Sequence, residues 1–121
     1  MIPKIVVIED DQPILDMMCV LLKKMGYEPV PVANGLDALT TVRADPPALI
    51  LLDVIMSPLS GWEFLTWLRK ERTMREIPVI LFTASPIVPE KMRELNDPKV
   101  DILQKPVTFD ELRTAIAQFL G

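Results

Sequence analysis

Five short apolar runs alternate with five segments of helical pattern along this chain, and this alternation constrains the fold more than any other feature. The runs cover residues 4–8, 27–32, 48–52, 79–82 and 100–103. Helical patterns follow them at residues 13–25, 34–43, 60–72, 89–95 and from residue 108 onward. Runs of this length are strands rather than helices. Because the connections are short, the pattern predicts an α/β fold in which a parallel sheet carries helices on both faces.

Two prolines predict the position of the second strand in that sheet. Pro29 and Pro31 stand at i and i+2, so their missing N–H groups point to the same side of the strand. That side can have no neighbouring strand, which predicts a strand at the edge. The doubly wound order 2-1-3-4-5 satisfies this condition. A dinucleotide-binding order beginning 3-2-1 does not, and the chain also lacks a glycine-rich phosphate loop after the first strand.

The residue types present disfavour several classes of function. The 121 residues match one domain, which we expect to span residues 1–121. A formal net charge of −4 disfavours direct contact with nucleic acid. The chain has no histidine and one cysteine, Cys19, which disfavours a zinc site and leaves no internal disulfide, Ser-His-Asp triad or Cys-His pair. No apolar run approaches the ~20 residues that span a bilayer, so we expect a cytoplasmic protein without membrane contact.

Polar side chains follow the predicted strands at their carboxyl ends, where open α/β sheets bind ligands. Glu9 and Asp10 follow the first strand, Asp53 the third, Thr83 the fourth and Lys105 the fifth. A single acid at a strand end is often only a helix cap. Three together repel, by about 4 kcal/mol for a pair at 4 Å, so either some are protonated or a cation lies among them. An all-oxygen cluster suits Mg²⁺. Beside such an ion, Asp53 could accept a phosphoryl group that Lys105 and Thr83 contact.

Five pieces of sequence, in order, carry a resemblance to a known family. They are Glu9-Asp10, Asp53, the pair Met56 and Gly61, Thr83-Ala84, and Lys105-Pro106. Thr83 and Lys105 stand 30 and 52 positions after Asp53, the offsets usual in that family. Over nearly its whole length the chain resembles the receiver domain of two-component response regulators. The resemblance implies the flavodoxin-like (CheY-like) three-layer sandwich, with strand order 2-1-3-4-5 and five helices.

The resemblance also implies a phosphoryl site and a metal site that share one aspartate. For the phosphoryl group it implies an acceptor and three contacts: Asp53 as acceptor, with Thr83, Ala84 and Lys105. For Mg²⁺, or Mn²⁺ in its place, it implies these ligands: Asp10, Asp53 and the backbone carbonyl of Ile55, with Glu9 acting through water. It further implies a cis peptide bond between Lys105 and Pro106.

The family's partners follow from the same resemblance. A histidine kinase or a histidine phosphotransfer protein would supply the phosphoryl group, and the domain would catalyse only its own phosphorylation and dephosphorylation. The face made by the fourth helix, fifth strand and fifth helix would contact a downstream protein or a C-terminal output domain. Pairing of two copies is also an option.

Several residues depart from the family pattern and leave other functions open. Ile102 stands where the family usually has an aromatic residue, and Ala115 where one subfamily has an arginine that pairs with an acid such as Asp101. Ser57 replaces a usual proline. These departures leave open a receiver-like interaction module that acts without phosphorylation. A phosphatase with an aspartate nucleophile is disfavoured, because Ile55 stands where it needs a second acid; the same residue predicts a long-lived phosphoryl group.

Overall fold

The computed structural model describes residues 2–84 and 96–121. Its strands are β1 (Lys4–Ile8), β2 (Glu28–Val32), β3 (Leu49–Asp53), β4 (Val79–Thr83) and β5 (Val100–Gln104). The helices of the described ranges are α1 (Gln12–Lys24), α2 (Gly35–Ala44), α3 (Gly61–Lys70) and α4 (Phe109–Leu120). The helix predicted at residues 89–95 lies outside the described residues, so α4 is the fifth predicted helix. Every predicted strand is present.

All five strands form one parallel sheet in the order β2-β1-β3-β4-β5, which confirms the predicted order. Among the described strands, β2 pairs only with β1. On that inner side Glu28 donates its N–H to the carbonyl of Pro3 at 3.0 Å, and the carbonyl of Val32 accepts from Glu9 at 3.1 Å. Since neighbouring residues of a strand face opposite sides, Pro29 and Pro31 face outward. The two prolines therefore sit where an N–H has no partner to meet.

The sheet is covered on both faces, as the α/β prediction requires. Helices α2 and α3 pack on one face, with Val42, Phe64 and Leu68 buried there. Helices α1 and α4 pack on the other, with Leu22 and Ile116 among the buried residues. All residues of β3 and β4 are buried, which is why these strands read as unbroken apolar runs. The central strands therefore hold their terminal residues in fixed positions.

Side-chain caps begin the helices where the sequence predicts them. Ser60 with Glu63 and Thr108 with Glu111 form complete capping boxes at α3 and α4. Asn34 caps α2 by accepting from the N–H of Asp37 at 2.8 Å. Within residues 2–84 and 96–121, no helix combines the length and the apolar character needed to cross a membrane.

Candidate functional site

Four strands deliver polar residues to one edge of the sheet. Glu9 follows β1, Asp53 ends β3, Thr83 ends β4 and Lys105 follows β5. Glu9 and Thr83 have no exposed surface and Asp53 has 3%, and these three are the buried polar residues of the described chain. Burial of a carboxylate is costly unless a charge or hydrogen bond compensates it. The fold therefore concentrates its buried polar groups at the predicted ligand-binding edge.

The three predicted acids come together. Glu9, Asp10 and Asp53 each offer a carboxylate oxygen, and these oxygens all lie within 4.8 Å of one another. Asp10 is exposed whereas the other two are buried. The next acid, Asp11, takes a different role, since its carboxylate caps α1 by accepting from the N–H of Ile14 at 3.2 Å. We call Glu9, Asp10, Asp53 and Lys105 the Asp53 cluster.

Lys105 supplies the positive charge of this cluster. Its Nζ lies 3.0 Å from Oε1 of Glu9 and 3.5 Å from Oδ2 of Asp53. Its backbone N–H donates to the carbonyl of Thr83 at 2.9 Å, which fixes the start of the side chain. The Nζ also lies 5.2 Å from the ring centroid of Phe82. The peptide bond from Lys105 to Pro106 is cis, as the resemblance implies.

The Asp53 cluster places three carboxyl groups beside one ammonium group, and Glu9 is the most deeply buried of the acids. Burial, together with a hydrogen bond to the Asp53 carboxyl, raises the pKa of Glu9 from its ordinary 4.5 to about 8, although Lys105 acts in the opposite direction. The Oε2 atom of Glu9 is buried without a hydrogen-bond partner among the described residues. A buried polar atom without a partner is rare in folded proteins. One ammonium group therefore does not satisfy these acids.

The loop after β3 is held close to Asp53 by its own backbone and by a glycine. Ile55 donates its N–H to Oδ1 of Asp53 at 3.3 Å, and Gly61 donates to the carbonyl of Val54 at 2.9 Å. A Cβ at Gly61 would collide with the carbonyl oxygen of Asp53 and come within 2.7 Å of the Cα of Val54. Only glycine permits this close approach, which explains the residue at that position.

A second contact of this loop is one that the sequence does not predict. Leu59 packs against Gly35, the first residue of α2, where an added Cβ would lie 3.0 Å from the Leu59 side chain. The peptide bond between Ser57 and Pro58, earlier in the same loop, is cis. The glycine directly after the Asn34 cap was the available signal, because a glycine within a helical segment usually has a packing reason. The loop is thus fixed at both ends.

The remaining predicted site residues lie at the same edge. Thr83 is buried at the end of β4, and Ala84, directly after it, is exposed. The Ile55 side chain is 63% exposed beside the cluster. Their predicted contacts with a phosphoryl group, and the metal-ligand role of the Ile55 carbonyl, stay predictions.

Comparison with known proteins agrees with this geometry. Residues 5–117 match the family model of the response regulator receiver domain. The chain belongs to this family. The structure has its CheY-like architecture, with strand order 2-1-3-4-5 and four helices in the described ranges.

Two curated relatives differ in how much of their length this receiver domain matches. It is 34% identical over 109 residues to the phosphate regulon transcriptional regulatory protein PhoB of Escherichia coli, covering 90% of the domain and 48% of PhoB. It is 31% identical over 117 residues to the polar-differentiation response regulator DivK of Brucella anthropi, covering 97% of the domain and 95% of DivK. The chain thus spans about half of PhoB and nearly all of DivK.

One solved structure is relevant to the three acids of the Asp53 cluster. The receiver domain of a sensor histidine kinase from Pseudomonas aeruginosa holds a magnesium ion in its active-site cleft. It shares 25% identity with the present domain at a TM-score of 0.88, covering 100% of this chain and 99% of that one. Here the donors are all oxygen, and one buried carboxylate oxygen has no partner among the described residues. This donor set fits a hard divalent cation.

Proposed function

We propose that this receiver domain is a phosphoacceptor switch that takes a phosphoryl group onto Asp53 in the presence of Mg²⁺, or Mn²⁺ in its place. The observation that supports it most is the pairing of a 3%-exposed Asp53 with two further carboxylates and a lysine 3.5 Å from its Oδ2. A buried aspartate that served only the fold would have compensated neighbours. This one stands in an acidic excess that an ion and a phosphoryl group together would relieve.

The residues divide the chemistry between them. Asp10, Asp53 and the Ile55 carbonyl would hold the ion, with Glu9 acting through water. The ion, when bound, draws negative charge from the phosphoryl oxygens. A carboxylate oxygen of Asp53 forms the new O–P bond while the N–P bond of a phosphohistidine breaks. The electron pair of that bond returns to the imidazole, and Lys105 shifts its Nζ toward a phosphoryl oxygen.

The donor of the phosphoryl group would be a histidine kinase or a histidine phosphotransfer protein, acting in the cytoplasm. The domain itself would turn over no external substrate beyond its own phosphorylation and dephosphorylation. Phosphorylation adds up to about two negative charges at Asp53, and Thr83 and Ala84 contact the new group. The change would shift the population of conformations at the face that includes β5 and α4, where a downstream protein or an output domain binds.

Slow loss of the phosphoryl group follows from Ile55, whose exposed aliphatic side chain offers no polar atom to orient an attacking water. We expect Ile55→Asn to shorten the lifetime of the phosphorylated domain by about tenfold, less than the roughly 10²–10⁴-fold of a positioned acid or base, because an amide only orients the water. Phosphate release in excess Mg²⁺ measures that lifetime. Leu36→Asn, which changes another exposed aliphatic residue, is the matched control. Equal lifetimes for wild type and Ile55→Asn would contradict the role of Ile55.

The experiment that tests the proposal is incubation with acetyl phosphate and Mg²⁺ followed by intact-mass measurement. Wild type gains one phosphoryl group and Asp53→Asn gains none. Asp45→Asn, which removes an exposed aspartate, behaves as wild type. Wild-type protein that gains no mass, and shows no Asp53-dependent spectral change with beryllofluoride, would leave the alternative of an interaction module that works without phosphorylation. That alternative predicts equal partner affinity for wild type and Asp53→Ala.

A further inference from the structure

Lys105 reaches the acids of the Asp53 cluster by crossing the end of a neighbouring strand. The residue follows β5, whereas Asp53 ends β3 and Glu9 follows β1, and β4 lies between β5 and β3. Neighbouring strands are about 4.8 Å apart, so the side chain crosses about two strand spacings to approach Asp53. A lysine stem is flexible along its four carbons. The position of the ammonium group therefore depends on what it contacts along this path.

Phe82 lies on that path. It is the second-last residue of β4 and pairs in register with Asp53 of β3, so the two side chains point to the same face of the sheet. Phe82 is 1% exposed, so its ring is shielded from water. The Nζ of Lys105 lies over this ring, 5.2 Å from its centroid, within the roughly 6 Å at which an aromatic face attracts a cation.

The ammonium group of Lys105 is attracted from opposite sides. Glu9, after β1, lies 3.0 Å from Nζ, and Phe82, on β4, offers its ring face. Asp53 ends the strand between these two and lies 3.5 Å from Nζ. Glu9 acting alone would draw the ammonium group away from β3. The ring opposes that displacement and so keeps Nζ within reach of Asp53.

A cavity of about 280 Å³ borders both the Phe82 ring and Lys105. Its other lining residues in the described part of the chain have apolar side chains: Ile14, Met17, Met18, Pro106 and Val107. Burial of a charge beside such a wall is costly without a compensating partner. An aromatic face supplies that partner through its quadrupole, whereas an aliphatic side chain at position 82 would not.

We propose that Phe82 is a positioning residue for the phosphorylation of Asp53, and that the face of its ring holds the Lys105 ammonium group beside the acceptor carboxylate. This inference rests on the proposed function, because it assigns a further residue to the reaction proposed for Asp53. Phe82 contacts neither the phosphoryl group nor the ion in this assignment. It acts through Lys105.

Fluorinated phenylalanine at position 82 tests the ring while nearly preserving its shape. Site-specific incorporation of the mono-, di- and trifluorinated residue withdraws electron density from the ring face in steps. We expect phosphorylation by acetyl phosphate to slow at each step. The trifluorinated ring and Phe82→Leu should each slow it by about fivefold, the equivalent of a cation–π contact worth ~1 kcal/mol. The affinity for Mg²⁺ should change by less than about twofold, since Phe82 supplies no oxygen ligand.

The metal-free, unphosphorylated domain gives a second readout that a purely structural role would not change. Protons over an aromatic face resonate upfield, so the Hε protons of Lys105 should be shifted upfield in wild type and not in Phe82→Leu. Labelling with ¹³C-lysine, with Lys105→Met to assign the signal, measures this. Phe64→Leu removes a ring buried on the opposite face of the sheet and should leave both the signal and the rate unchanged. Should Phe82→Leu unfold, the fluorinated series still tests the contact.

Equal phosphorylation rates across the fluorinated series, or a Lys105 signal that does not depend on the Phe82 ring, would overturn the inference. Either result, together with normal phosphorylation of wild type, removes the positioning role alone. Wild-type protein that gains no phosphoryl group while its Lys105 signal is shifted upfield removes the switch, and the positioning role with it.

Discussion

Two clusters of charged side chains lie at opposite ends of the same sheet, and they are built on different rules. At the amino ends of β4 and β5, Arg69 donates from Nε to Asp97 at 2.6 Å and from its terminal nitrogens to the carbonyls of Ile77 and Lys99 at 2.9 and 3.4 Å. The other carboxylate oxygen of Asp97 accepts from the N–H of Lys99 at 2.9 Å. We call this set the Arg69 cluster.

Charges are matched in the Arg69 cluster and mismatched in the Asp53 cluster. Arg69 and Asp97 are 16% and 17% exposed, one cation faces one anion, and both are used by surrounding backbone groups. At the other end one ammonium faces three carboxyl groups, and a buried oxygen of Glu9 has no hydrogen-bond partner within residues 2–84 and 96–121. Removing one partner of a matched buried pair is costly, whereas surplus buried carboxyl groups would gain from an added cation. The contrast separates a structural ion pair from the proposed binding site within one domain.

Removing an acid from the matched cluster should cost the most. Asp97→Ala leaves Arg69 two backbone acceptors but no opposing charge in a largely buried place, so we expect a loss of about 3 kcal/mol in the free energy of unfolding. Urea denaturation measures the loss. Asp45→Ala, which breaks the exposed pair with Lys4, should cost no more than about 0.5 kcal/mol. Equal losses in the two variants would show that the Arg69 cluster is an ordinary surface pair.

Stability of the metal-free domain should fall as pH rises, because of Glu9. Between its ordinary pKa of 4.5 and its folded value of about 8, the folded state binds more protons than the unfolded state. The free energy of unfolding should therefore decrease by about 3 kcal/mol from pH 5 to pH 8 through this group. Urea titrations across that range measure it. Glu9→Gln should flatten the decrease while exposed Glu28→Gln retains it, and a Glu9→Gln slope like that of wild type would refute the cause.

Neutralising an acid in the Asp53 cluster should raise the free energy of unfolding, whereas removing Asp97 should lower it. Burial is the main cause of the raised pKa of Glu9, and the Asp53 carboxylate raises it further. Asp53→Asn removes that second cause and leaves Lys105 a single buried partner, so we expect the metal-free domain to gain about 1 kcal/mol at neutral pH. Thermal unfolding without and with Mg²⁺ measures this, and the variant should lose most of the Mg²⁺-induced rise in Tm. Asp97→Asn, the same chemical change, should destabilise. A metal-free Asp53→Asn variant that unfolds at a lower temperature than wild type would contradict the contrast between the two clusters.

The smallest effect is expected where the site meets α2. In Gly35→Ala the new methyl group crowds Leu59, while helix propensity favours alanine, so stability should change by less than about 1 kcal/mol. The displaced loop should nevertheless weaken Mg²⁺ binding by about threefold, since ligand geometry tolerates little movement. Tryptophan fluorescence follows the titration. Adding Leu59→Ala should relieve the crowding, and unchanged affinity in Gly35→Ala would show that the contact does not position the loop.

The sequence predicted the backbone of this domain well because its signals are local. Alternating apolar and helical segments, two capping boxes and the prolines of the second strand each act over a few residues, and together they determine strand order. The strand ends then placed Glu9, Asp10, Asp53 and Lys105 at one edge. Topology alone was sufficient for that step.

The contacts that escaped prediction depend on side chains distant in sequence. Arg69 and Asp97 are 28 positions apart, and nothing near either residue marks the other as its partner. The packing of Leu59 on Gly35 depends on how the β3–α3 loop folds back, which periodicity does not describe. Asp11 caps α1, whereas Asp10, the residue before it, joins the Asp53 cluster. The residue at which α1 begins decides between these two roles.

The outward-facing residues of β2 are both prolines, which has a consequence for how this domain behaves in a crowded solution. Along that strand the open side presents carbonyl oxygens but no amide hydrogens. A foreign strand that approached it could donate but could not accept in return, so a continuous ladder cannot grow from this border. The prolines that predict the strand order thus also prevent the sheet from extending, strand by strand, into a polymer.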